Sequence, residues 1–323
     1  MRIIYMGTPE FAVSALQSIV QAGHEVVAVV TQPDKPQGRS KKLVAPPVKI
    51  QAQEYEIPVY QPEKLREASM VEILRGYQPD MIVVAAYGQI LSEEILAIPP
   101  YGCINIHASL LPKYRGAAPI EWSIINGEQV TGVTTMYMEK GLDTGDMIEK
   151  TEVVIEPEDT GATLHDKLAE AGARLILTTI EKLQSHAATR TKQDDAQSCY
   201  ASMLRKDMGC LDFTKDATVL ERLIRGLIPW PCAYTNIQGK QTKIYQAEVV
   251  YVDESYRHSC MDRSADLKFL PGEVVEVTKK SFVVACGVDA LRIKRLQPQG
   301  KKEMDAAAFL NGNALQTGNI IGE

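Results

Sequence analysis

The chain has 323 residues, 45% hydrophobic and 24% charged, ordinary values for about two globular domains. Its net charge of −6 is spread unevenly: residues 205–323 hold 17 Lys+Arg against 15 Asp+Glu, and the rest 18 against 26. This permits a polyanion on the C-terminal half, and it equally fits a solvated surface of mixed charge. No apolar run approaches the roughly 18 residues of a membrane helix, which excludes a helical membrane protein.

Six cysteines are scattered without a C-x-x-C pair, and the five histidines form no H-E-x-x-H. Neither a zinc site nor a disulfide framework is expected, and a reducing cytoplasm fits. Residues 1–7 are basic only at Arg2 and too short for a signal peptide.

In chain order, residues 2–7 read as a buried strand. Thr8-Pro9-Glu10 then supplies an N-cap, a first-turn proline and an acid for a helix. That helix carries Phe11, Ala15, Leu16, Ile19 and Val20 at helical spacing and ends at Gly23. Residues 25–31 form a second apolar strand, so the chain opens β-α-β and a parallel sheet with right-handed crossovers is expected. Further strands are expected over 80–88, 103–107, 132–138 and 146–155, with helices over 116–126 and 160–185.

Residues 189–199 are polar and aperiodic and read as linker. A short helix over 217–227 stops at Pro229-Trp230-Pro231, with Trp230 as a packing anchor. Short β-branched runs at 233–237, 243–250, 273–279, 282–286 and 291–296 then suggest a small barrel, interrupted by a polar insertion over 255–268.

The first β-α turn has Gly7 but no G-x-G-x-x-G. A dinucleotide is therefore not expected there, although Asp34 could imitate a ribose-binding acid. Chemistry is expected instead at the carboxyl ends of the central strands. Asn105 and His107 are two apart on one strand and point the same way. Asp143 lies in the glycine-flanked turn Gly141-Leu142-Asp143-Thr144-Gly145-Asp146 and, if adjacent, would hold His107. Asn105 and His107 could then donate to an oxyanion. Taken singly, Asn-x-His can be a satisfied polar pair and Asp143 a turn cap.

The combination carries a resemblance. Met6-Gly7-Thr8-Pro9, Gln32-Pro33-Asp34, Ala86-Tyr87-Gly88, Asn105-Ile106-His107 with Ser109-Leu110-Leu111-Pro112, Tyr114-Arg115-Gly116-Ala117-Ala118-Pro119-Ile120, the Asp143 turn and Pro229-Trp230-Pro231 together resemble the folate-dependent formyltransferases over nearly the whole chain. The basic stretch 35–43, before Pro46-Pro47, resembles the branch of the family that acts on tRNA.

The resemblance implies an α/β fold, a Rossmann-like doubly wound, mostly parallel sheet followed by a small OB-like β-barrel. Expected bounds are 1–189 for the catalytic domain, 190–205 for the linker and 206–323 for the tRNA-binding barrel. It implies transfer of the formyl group of 10-formyltetrahydrofolate to the α-amine of methionyl initiator tRNA for translation initiation. The alternative is a sugar-nucleotide N-formyltransferase.

By the same resemblance Asn105, His107 and Asp143 are the catalytic trio. Ser109, Leu110, Leu111, Pro112, Tyr87, Gly88 and Ile90 line the folate pocket, with Leu110 and Leu111 against a flat ring and Leu111-Pro112 expected in cis. Lys35, Arg39, Lys41 and Lys42 form a basic loop for the tRNA acceptor end; on composition the loop can also be merely solvated. A cytoplasmic monomer without metal or membrane contact is expected. The barrel would add cations, with Arg292 and Lys294 on one face of their strand.

Overall fold

A computed structural model describes residues 1–37, 42–252 and 269–322. The tip of the basic loop, with Arg39 and Lys41, and the insertion 255–268 lie outside the described residues. The chain divides into two compact units: residues 1–119, 129–155 and 163–202 form the first, and 120–128, 156–162 and 203–323 the second.

The first unit is built on β1 (Arg2–Gly7), β2 (Glu25–Val30), β5 (Val59–Tyr60), β6 (Met81–Ala85), β7 (Cys103–His107), β9 (Val130–Tyr137) and β10 (Met147–Val154). Between them lie the hairpin β3 (Lys35–Gln37) and β4 (Lys42–Val44) and the short strand β8 (Arg115–Gly116). The sheet order is β10-β9-β7-β6-β1-β2-β5. The last five are mutually parallel, while β9 runs antiparallel to β7 and to β10.

β1 and β6 are continuous apolar runs because helices cover both faces of the sheet. β10 sits at the edge, and its residues from Glu149 onward alternate between partly buried and exposed. Ile4, Met6, Ala28, Val30, Ile82 and Val84 share one buried face with Met70, Val71 and Leu74 of α3 (Ala68–Gly76). The chain runs outward from β1 through β2 to β5 and restarts at β6 on the other side. That leaves a crevice at the carboxyl ends of β1 and β6.

Thr8 does not cap a helix as expected. A single 3-10 turn, Glu10–Ala12, precedes α1 (Val13–Gln21) without a side-chain cap. Thr8 Oγ1 instead donates to Tyr87 O (3.1 Å) and accepts from Gln32 N–H (3.2 Å), tying together the ends of β1, β2 and β6. A hydroxyl that reaches neighbouring strand ends is unavailable to its own helix. The helix expected over 116–126 also starts later, as α5 (Pro119–Ile125), because Arg115–Gly116 pair in parallel with β11 (Tyr200–Ala201). Leu164, Leu168, Leu175, Ile176, Thr179 and Leu183 of α6 (Gly161–Gln184) are all buried, as their spacing predicts.

Asp34 is no free ribose acceptor. Lys49 Nζ donates to both of its oxygens (2.8 and 2.9 Å) and Gln61 Nε2 to one (2.8 Å). The Lys49 hydrogen bond, then that of Gln61, holds its carboxyl below the ordinary 3.8. A lowered folded-state pKa stabilises at pH above the unfolded value, and the contribution disappears as pH falls through the folded value. Asp34→Asn is therefore expected to lower the urea midpoint at neutral pH, and by less at an acid pH below the ordinary 3.8. A gap of equal size at both pH values would contradict this.

The second unit holds a sheet of β12 (Ala233–Ile237), β13 (Lys240–Val250), β14 (Val274–Val277), β15 (Phe282–Ala285) and β16 (Ala290–Pro298), ordered β12-β13-β16-β15-β14. The register slips at Gln246, which curls the β13–β16 pair. The C-terminal segment bridges the two outer strands: Val274 N–H donates to Asn319 O (2.8 Å) and Gly322 N–H to Asn236 O (2.9 Å). The sheet is thereby closed into a small barrel. Its core holds Phe282, Leu291, Ile293 and Leu296 together with Leu220 and Ile224 of α7 (Ala217–Gly226). Trp230 is 51% exposed, so it is not the packing anchor expected. Pro229 and Pro231 both follow cis peptides.

Candidate active site

Asn105 and His107 end β7, a central strand whose backbone pairs with Val84 on one side and with Met136 and Thr134 on the other. Alternation puts both side chains on one face, and they are 8% and 6% exposed. His107 Nε2 lies 2.9 Å from Tyr114 O, to which it donates, and Nδ1 faces Asp143 Oδ2 at 3.7 Å. The three residues expected to act together are thus brought to one strand end. With Nε2 committed to Tyr114, His107 has only Nδ1 to offer a reacting centre, and 3.7 Å leaves that nitrogen short of a closed hydrogen bond.

Asp143 is aimed by its turn. Its φ of +52° is a left-handed conformation that aspartate tolerates better than most residues. Gly145 is obligatory beside it, since a Cβ there would stand 1.9 Å from Tyr137 O. Asp143 Oδ2 accepts from Gly116 N–H (2.9 Å). Gly116 has φ +115°, and a Cβ there would lie 2.6 Å from Ala201 O, so only glycine brings this amide to the carboxylate.

The loop after β7 is braced from below. Ser109 Oγ donates to Lys113 O (2.7 Å), Thr134 Oγ1 donates to Ser109 O (2.7 Å), and Leu111 N–H donates to Thr134 Oγ1 (3.1 Å). Leu111-Pro112 is cis, as expected. Lys150 Nζ donates to Leu111 O, and burial lowers the pKa of that ammonium. Leu111 corrects the sequence reading: its side chain is fully buried against Met136 and Met147 and is not open to a flat ring. Ser109 is also fully buried, whereas Leu110 and Pro112 are partly exposed.

After β6, Ala86 and Gly88 turn with positive φ, and Ile90 is 83% exposed. Tyr87 is buried, its Oη has no hydrogen-bond partner among the described residues, and burial raises its pKa. Lys35 and Lys42 are exposed on opposite strands of the β3–β4 hairpin.

The polar run expected to be a linker is folded into this unit. Met147 and Thr191 exchange backbone hydrogen bonds, and Gln193 is 7% exposed beside the Asp143 turn. Nothing in the local pattern could have singled out Gln193, because its neighbours 191, 192 and 194–197 are exposed polar or small residues. In the barrel, Arg292 pairs with Glu276 (3.1 Å), Lys294 with Glu248 (3.0 Å) and Arg295 with Glu303 (2.9 Å). The cationic face expected on β16 is partly neutralised.

A neutral amide, an imidazole and a carboxylate, gathered at a crevice of a doubly wound sheet, form a site suited to acyl transfer to an amine. The family comparisons agree. Residues 1–180 match the model described as formyl transferase, and residues 203–314 match formyl transferase, C-terminal domain. The chain belongs to the formyl transferase family and is an enzyme.

It is 50% identical over its full length to the methionyl-tRNA formyltransferase of Lachnospira eligens, all of which is covered. It is 48% identical to that of Geobacter metallireducens, over 99% of this chain and 98% of the relative. Among solved structures, the sugar 3N-formyl transferase WlaRD superposes with a TM-score of 0.63 at 21% identity, over 94% of this chain and 99% of that one. HypX from Aquifex aeolicus in complex with tetrahydrofolic acid gives 0.60 at 16%, over 96% of this chain and 47% of that one. At these identities the two structures share the fold.

Proposed function

We propose that the enzyme transfers the formyl group of 10-formyltetrahydrofolate to the α-amine of methionyl initiator tRNA, as a cytoplasmic monomer serving translation initiation. The observation that carries the reading is the Asn105–His107–Asp143 constellation, in a chain half identical to methionyl-tRNA formyltransferases from end to end. The residues that follow the central strands fit a flat, partly polar donor. Ile90, Leu110 and Pro112 present apolar surface, and the loop after β6 also carries Tyr87, whose buried Oη has no hydrogen-bond partner among the described residues. The donor supplies an electrophilic formyl carbon.

Asn105 donates an amide N–H to the oxygen that gains charge as the amine nitrogen bonds to that carbon. His107, held at Nε2 by Tyr114, presents Nδ1 beside Asp143. The pair receives the proton lost by the amine and returns one to N10 of the folate as its bond to the formyl carbon breaks. Gly116 N–H keeps the Asp143 carboxylate turned to the ring. The β3–β4 hairpin offers Lys35 and Lys42, and with Arg39 and Lys41 it would contact acceptor-stem phosphates and unpaired bases.

The test is formation of formyl-methionyl-tRNA from these two substrates; a chain that makes none refutes the reading. Arg39→Ala is expected to lower kcat/KM for the tRNA about tenfold while leaving folate affinity intact, as for loss of one phosphate or base contact. An equal loss with a minimal methionyl ester would remove the tRNA role of the loop.

A further inference from the structure

The geometry points to Gln193 as a positioning residue for the formyl transfer, fixing where Asp143 stands; this rests on the role given to Asp143 in the proposed function. Gln193 is the buried member of an otherwise polar, exposed run. Its Nε2 donates to Asp143 O (2.7 Å) and to Gly145 O (2.8 Å), so both amide hydrogens go to the one turn. Its Oε1 accepts from Arg115 Nε (2.9 Å), and Arg115 in turn pairs with Asp195 (2.8 Å). The amide can sit only one way round, since the flipped form would set oxygen against two carbonyls and NH2 against a guanidinium.

The turn needs such a tie. Asp143 holds a left-handed backbone between Gly141 and Gly145, and its carboxylate must meet both Gly116 N–H and the imidazole. Gln193 closes a circuit: from Asp143 O and Gly145 O through its amide to Arg115, on to the adjacent Gly116, and back to Asp143 Oδ2. The strand that follows, Tyr200–Ala201, pairs with Arg115–Gly116, and Cys199 Sγ accepts from Tyr114 N–H (3.2 Å). The run 191–201 therefore ties down both groups that contact His107.

The experiment compares Gln193→Met, which keeps length but no hydrogen bond, with Gln193→Glu, which keeps the acceptor for Arg115 and loses the donors. Each is made in the full-length wild type and in Asp143→Asn, with kcat, KM for both substrates and the thermal midpoint recorded. Expected is a fall in kcat of about tenfold in both single variants, with KM moved by less than about twofold, the signature of a misaimed group. In the Asp143→Asn background the further loss should be below about twofold, because the residues act as one unit.

Wild-type kcat in both Gln193 variants, with Asp143→Asn slow, overturns the inference alone. So does an undiminished tenfold loss on top of Asp143→Asn, or a loss that only follows the unfolded fraction. Asp143→Asn turning over at the wild-type rate overturns the role of Asp143, and the inference with it.

Discussion

Asn105→Ala is expected to lower kcat by about 10²-fold or more, the loss typical of one oxyanion donor, and His107→Ala by a similar factor. Both side chains end a strand whose backbone is bonded on either side, so truncation leaves the strand in place. The effect should therefore fall on kcat with little change in KM, as for a contact made in the transition state. His107→Ala also removes the hydrogen bond to Tyr114 O and the ring that faces Asp143. A small loss of stability is thus expected there and not for Asn105→Ala. Near-wild-type turnover in either variant, from steady-state rates at saturating donor, would remove that residue from the mechanism.

Phe282→Ala is expected to cost the second unit about 3–5 kcal/mol, the usual range for a phenylalanine deleted from a core. Phe282 is fully buried on β15, among Val284, Leu291, Ile293 and Leu296, with the Phe309 ring 6.2 Å away centroid to centroid. The sheet is closed by backbone bonds of residues 318–322 and cannot easily collapse onto the hole. Such a loss is a large fraction of the roughly 5–15 kcal/mol by which folded proteins are stable. The denaturant midpoint assigned to the barrel should fall sharply; a shift worth less than about 1 kcal/mol would mean the core relaxes to fill the cavity.

Much of this was legible in the chain because burial on both faces writes itself as continuous apolar strands, as at 2–7 and 81–85. Period-2 spacing puts Asn105 and His107 on one face of a strand end, and the turn of Asp143 is marked by its flanking glycines. What escaped were contacts made between segments distant in sequence. Thr8 looks like a cap locally, yet its hydroxyl bridges two other strand ends. Leu111 looks like pocket lining, yet Met136 and Met147 bury it from another pair of strands. Residues 189–199 have linker composition, and only the tertiary fold shows that Gln193 reaches the Asp143 turn. The ion pairs of Arg292 and Lys294 likewise depend on which acids the neighbouring strands present.

The most direct test is the rate of formyl transfer from 10-formyltetrahydrofolate to charged initiator methionyl-tRNA, with elongator methionyl-tRNA and a 4-amino sugar nucleotide as parallel acceptors. The proposed function predicts rapid product on the initiator alone. Transfer to the sugar nucleotide and not to the tRNA would contradict it.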